Sequence, residues 1–192
     1  MTNLKRKEQT QKMVLGAIFT ALVVVLQLMG SFIRFGPFSV SLVLVPIVIG
    51  SAMCGHKIGG WLGFVFGLAV LLSGDASAFF SINVIGTVIT VLLKGTLCGI
   101  SAGFIYSLLS KHNRYLAVMA SAVICPIVNT GVFLLGCVVF FMDTIIKWGA
   151  DAGFTSAAGY MFLGLAGGNF LFELVTNIVL APVILRIISL KK

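Results

Sequence analysis

Long, nearly uncharged apolar runs separated by short polar breaks dominate the chain. Neither the 3.6-residue stripe of a surface helix nor the two-residue alternation of a half-buried strand organises it. Crossing roughly 30 Å of hydrocarbon takes about 20 helical residues. Runs of suitable length fall at 13–33, 39–55, 58–74, 83–110, 115–142 and 160–189. The second follows the break at Gly36-Pro37, and the third is short and glycine-rich, so the two form a tight hairpin through His56 and Lys57. The fourth carries Lys94 in its middle, and the sixth carries Glu173 and, near its end, Arg186. Strands of a membrane barrel are about 10 residues of alternating polarity, whereas these runs are apolar all round. The pattern predicts an all-α integral membrane protein, with a polar tail at 1–12 followed by a six-helix transmembrane bundle at 13–192. The first run exceeds a signal-peptide core, so it is expected to stay as a membrane helix rather than be cleaved.

Composition sharpens this picture. Of 192 residues, 59% are hydrophobic and 9% charged, against about 25% charged in soluble domains. The formal net charge of +8 does not indicate nucleic acid, because the basic residues sit in short stretches between apolar runs instead of forming a water-facing patch. They report orientation. A cytoplasmic amino terminus puts Lys5, Arg6, Lys7, Lys12, Lys57, Lys111, Arg114, Arg186, Lys191 and Lys192 inside, leaving Arg34 and Lys147 outside and Lys94 within the membrane. The positive-inside rule therefore places both termini in the cytoplasm. The outer side then receives Arg34–Phe38, Asp75–Ile82 and the longest connection, Asp143–Gly159, while the inner loops are minimal. That asymmetry suits capture of something from outside.

Much chemistry is missing. No G-x-x-x-x-G-K-[ST] loop occurs, so any ATP dependence must come from a partner. Cys54, Cys98, Cys125 and Cys137 form no C-x-x-C pair and are spread over three predicted helices, as small apolar core residues are. His56 and His112 fall in inner loops. No H-E-x-x-H and no intramembrane serine–histidine pair is present, and with five acidic residues an enzyme, a metal site or a bound cofactor is not expected.

Polar groups at membrane depth need an account, since a central charge costs on the order of 2.5–3.5 kcal/mol to insert. Lys94 lies roughly 16 Å below Asn83, near the midplane, and Glu173 lies at nearly the same depth on the sixth helix. Asn129 is near the middle of the fifth. Asn169, Glu173 and Asn177 recur at i, i+4, i+8, so they share one face, which must point into the bundle. Lys94 could neutralise Glu173 while the asparagines cross-link helices, or this set could meet a ligand. Asn83 and Asn169, nearer the outer loops, are best placed for ligand contact. Phe79, Phe80, Trp148 and Tyr160 sit where aromatic belts form. Gly16, Ala17, Thr20 and Ala21 make a small-residue stripe on the first helix, open to close approach by another helix. Gly59, Gly60, Gly63 and Gly67 on the third helix read mainly as internal packing.

Taken in order, Ala17-Ile-Phe-Thr-Ala21, "GPFSVSLVLVPIVIG" at 36–50, "GHKIGGWLGFVFGL" at 55–68 and "LLKGTLCGISAG" at 92–103 resemble the S components of energy-coupling factor (ECF) vitamin importers. The resemblance covers nearly the whole chain and is nearest the riboflavin and pantothenate branch. It implies a substrate-binding subunit in a prokaryotic plasma membrane that takes a vitamin from outside. Such a subunit associates with a transmembrane coupling protein and two ATPases, and topples in the bilayer to release its cargo. Family pattern carries coupling-protein contact to Ala17 and Ala21, and the ligand pocket to Asn83, Lys94, Asn129 and Asn169, with Glu173 beside them. The tryptophan and tyrosine pattern of thiamine carriers is missing. The acidic segment of riboflavin carriers is replaced by Arg34-Phe-Gly-Pro-Phe38. Pantothenate is therefore the first choice and riboflavin the next, and a substrate carboxylate would suit Lys94. The rival classes are a self-sufficient proton-coupled secondary transporter, with Glu173 carrying the proton, and a structural membrane subunit.

Overall fold

The computed structural model describes residues 3–30 and 42–189, together with 34–35 and 38–39. Helix α1 (Asn3–Gly30) leads into two paired two-residue strands, β1 (Arg34–Phe35) and β2 (Phe38–Ser39), antiparallel with Arg34 opposite Ser39. Then come α2 (Leu44–Cys54), α3 (His56–Ser73), α4 (Ser77–Phe80), α5 (Val84–Leu109), α6 (Arg114–Phe140), α7 (Met142–Asp151) and α8 (Ala157–Gly159). A π-helical stretch (Tyr160–Gly167) continues into α9 (Gly168–Ser189). The Gly36-Pro37 break, Lys191 and Lys192, and the side chains of Lys5, Arg34 and Phe38 lie outside the described residues.

Among the described residues five helices are long and apolar enough to cross a membrane, in Arg6–Gly30, His56–Ser73, Val84–Leu109, Arg114–Phe140 and Ala157–Ser189, and Leu44–Cys54 is a shorter apolar helix. Their outward faces carry large apolar side chains: Ile85, Val139 and Leu163 are 71%, 69% and 73% exposed. Such a surface belongs in lipid, not water. The second predicted span is thus shorter as a helix than its apolar run. Pro46, which lacks an N–H, falls in the first turn of α2, where none is needed. The polar residues before the first span are helical from Asn3, as Lys, Gln and Glu allow. The long connection after the fifth span is itself largely helical. In α7, Ile145 and Gly149 face inward while Asp143, Lys147 and Asp151 are exposed.

The α3–α5 seam organises the bundle. Gly59 faces Gly99 and Gly63 faces Gly95, while Gly67 lies against the Val91 carbonyl and Gly103 against the His56 backbone. A Cβ on Gly63 would overlap the Gly95 carbonyl, and one on Gly99 would overlap the Gly59 carbonyl. Backbone meets backbone here, so only glycine fits, and the helices gain the close van der Waals contact that drives association in lipid. Ser51 of α2 adds a cross-link, its Oγ donating to the Gly99 carbonyl at 3.2 Å. Phe66 and Lys94 each adjoin a zipper glycine, so the same seam fixes where they stand. Helix α6 packs on the far side of α5, α9 packs on α6 and α2, and α1 lies at the periphery against α2 and α3.

Candidate functional site

The zipper brings Phe66 and Lys94 to the edge of a cavity between α1, α3, α5, α6 and α9. The Lys94 ammonium stands 5.7 Å from the Phe66 ring centre and 5.5 Å from that of Phe133 on α6. Two ring faces thus offer it cation–π stabilisation. Opposite, Glu173 of α9 is 6% exposed. Its Oε2 accepts a hydrogen bond from Asn129 Nδ2 at a long 3.4 Å, and its backbone carbonyl accepts from Asn177 Nδ2 at 2.8 Å. Among the described residues Lys94 and Glu173 share the cavity without meeting at ion-pair distance. Asn169 lies one turn before Glu173 and lines the same space.

At the other end of the cavity Asp75, in the turn between α3 and α4, accepts on Oδ2 from Gln27 Nε2 of α1 at 2.7 Å and from Ser73 Oγ at 3.2 Å. Gly74 makes that turn, ending α3 with φ of +80°, a conformation glycine adopts without steric penalty. Phe79 of α4 closes one wall, packed edge to face against Phe133, Phe141 and Trp148 with ring centres 5.7, 5.0 and 5.5 Å away. The cavity is small, about 80 Å³, and open at its mouth. A neighbouring opening beneath α7, bounded by Asp75, Phe79, Trp148, Asp151 and Tyr160, joins it at Asp75 and Phe79. Thr90 Oγ1, Asn129 Oδ1 and Asn169 Oδ1 are buried with no hydrogen-bond partner among the described residues. Buried oxygens of this kind ordinarily have partners, so the arrangement suits a guest bringing hydrogen-bond donors to them and an anion to Lys94.

Lys94, Asn129, Asn169 and Glu173, singled out from sequence, therefore come together around one space. Asn83 does not join them. Its Oδ1 accepts from the Gly86 backbone N–H at 2.9 Å, capping α5, an ordinary N-cap role for asparagine. Phe79, read as a candidate belt residue, is buried against the cavity instead. Ala17 and Ala21 lie on the exposed side of α1, away from the cavity. Sequence reasoning passed over Gln27, Thr90, Phe66 and Phe133. Gln27 had a readable signal, an amide within an otherwise apolar run, and Thr87, Thr90 and Lys94 recur at i, i+3, i+7 on one face of α5. Cys98, Cys125 and Cys137 are buried core thiols, and no group of three His, Cys, Asp or Glu among the described residues could hold a metal.

Comparison with known proteins bears on this architecture. The family model for the ECF transporter, substrate-specific component, matches residues 11–188. The pantothenic acid transporter PanT of Lactococcus lactis subsp. cremoris (strain MG1363) is 30% identical over 196 residues, which cover 93% of this chain and 94% of the relative. A membrane bundle of apolar helices around a polar-lined, open cavity, matched by that family model over nearly its whole length, belongs to the substrate-specific components of ECF transporters.

Proposed function

We propose that this transport subunit captures pantothenate, or a closely similar hydroxylated organic acid, in the cavity around Lys94. The observation that carries the reading is the Lys94 ammonium itself, held between Phe66 and Phe133 in a cavity where Glu173 does not reach it at ion-pair distance. An ammonium in such a place balances a carboxylate well, because a charge-assisted hydrogen bond strengthens where water is scarce. Riboflavin, the next choice, carries no anionic group for it. The name of the lactococcal relative points the same way.

In this reading six helices span the bilayer with both termini in the cytoplasm of a prokaryotic cell. The end bearing α4 and α7 faces outside, so the opening beneath α7 is where substrate arrives. Asn129 and Asn169 supply acceptors, Glu173 aligns Asn129, and Asn83 serves as a cap at the outer rim. Energy comes from a transmembrane coupling protein and two ATPase subunits, since the chain lacks a phosphate-binding loop. Ala17 and Ala21, exposed on the peripheral α1, form the stripe on which the coupling protein docks. Isothermal titration of the purified subunit with pantothenate, riboflavin and thiamine tests the substrate. Saturable heat with pantothenate alone supports the reading, and tighter binding of riboflavin or thiamine overturns it.

A further inference from the structure

The cavity is polarised along its length, and this decides which way round a ligand lies, given the reading of the site as an organic-acid pocket. At one end Lys94 offers only donors, with the Glu173 carboxylate lining the space beside it, whereas the Asp75 carboxylate at the other end offers only acceptors. Thr87, Thr90 and Lys94 descend one face of α5 over seven residues, roughly 10 Å. Asp75 lies in the turn after α3 at the end where α5 begins, so it shares the shallow end with Gln27 while Lys94 stands at the deep end. Between them lie the buried Thr90 Oγ1 and Asn169 Oδ1, without hydrogen-bond partners among the described residues. Gln27, 2% exposed, donates to Asp75 Oδ2 at 2.7 Å and holds the carboxylate against the cavity.

We infer that Asp75 and Gln27 are the specificity-determining pair that reads the hydroxyl end of the ligand. The ligand's carboxylate lies at Lys94 and its amide at the level of Thr90 and Asn169. Hydroxyls donate to the Asp75 carboxylate. The reverse orientation sets carboxylate against carboxylate and leaves the ammonium facing neutral hydroxyls, whereas at the deep end Lys94 stands beside Glu173 and offsets that like-charge contact. The class recognised is an acid whose hydroxyls lie at the opposite end from its carboxylate, with a hydrogen-bonding amide between.

Titrations with three probes test this: pantothenate, N-(3,3-dimethylbutanoyl)-β-alanine, which is the same skeleton without either hydroxyl, and panthenol, in which an alcohol replaces the carboxylate. Asp75→Asn, which keeps an acceptor for Gln27, should weaken pantothenate and panthenol at least tenfold and leave the dideoxy acid within twofold. Lys94→Met should weaken both acids at least tenfold and leave panthenol within twofold. Gln27→Met, which retains the Asp75 charge, should repeat the hydroxyl-dependent loss, so the test survives if Asp75→Asn does not fold. Equal losses for pantothenate and the dideoxy acid in Asp75→Asn and in Gln27→Met would overturn the orientation while leaving the organic-acid reading intact. Failure of the wild type to bind either acid would overturn both.

Discussion

Replacing Gly63 by alanine adds one methyl group at the tightest point of the α3–α5 seam. The new Cβ would overlap the Gly95 carbonyl and lie 3.2 Å from the Thr96 Cα. All of these are backbone atoms, so no side chain can swing aside and the two helices must separate. A gap of about 0.5–1 Å forfeits a quarter to a half of each dispersion contact it opens. Overpacking of a rigid core usually costs about 1–3 kcal/mol, and a backbone-on-backbone clash belongs at the upper end, near 3 kcal/mol. Gly131 provides the control. It lies within α6, and a Cβ there meets nothing within 4 Å, so Gly131→Ala should gain up to about 1 kcal/mol from helix propensity. Thermal melting of the two variants in the same detergent measures the difference. Gly63→Ala should melt well below wild type and bind ligand more weakly, because Phe66 and Lys94 are carried on the same seam, while Gly131→Ala should melt at or above wild type. Equal shifts for the two would refute close glycine packing as the organiser of the bundle.

Lys94→Met should leave the melting temperature of the unliganded protein nearly unchanged, because Lys94 makes no ion pair with Glu173. It should lower pantothenate affinity by about 2–5 kcal/mol, and adding Glu173→Gln should not restore it, as a double-mutant cycle by titration would reveal. A large drop in melting that the second substitution rescues would show that the two charges pair in solution. Trp at both Ala17 and Ala21 should abolish uptake in cells while leaving titrated affinity within twofold, and normal uptake by the well-expressed variant would remove the docking stripe. The purified subunit in liposomes should bind pantothenate without concentrating it, and accumulation driven by a proton gradient alone would favour a secondary transporter.

How much of this was legible beforehand depended on the physics involved. Long helices were readable because exclusion of water forces every span to satisfy its own backbone, leaving an apolar run of bilayer length. The zipper was half readable: Gly59 and Gly63 announce a close approach, but nothing local says that Gly99 and Gly95 receive it. Lys94, Asn129, Asn169 and Glu173 stood out because polar groups at that depth need partners. Asn83 drew attention for the same reason, yet a cap and a ligand contact look alike in one dimension. Gln27 and Asp75 meet only through the tertiary arrangement, since 48 residues separate them. The π-helical stretch at Tyr160–Gly167 also left no periodic signal, and its wider turn shifts the register between Tyr160 and the Asn169–Glu173 face, a feature common near functional sites.

The claim that Lys94 marks an organic-acid site is tested most directly by mass spectrometry of the small molecules released on denaturing the purified subunit. Wild-type protein prepared in pantothenate-containing medium should release a carboxylic acid of pantothenate mass in near-stoichiometric amount, and Lys94→Met prepared alongside should release little or none. Release of a flavin or another neutral compound by both proteins, or of equal amounts of the acid by both, would contradict the account.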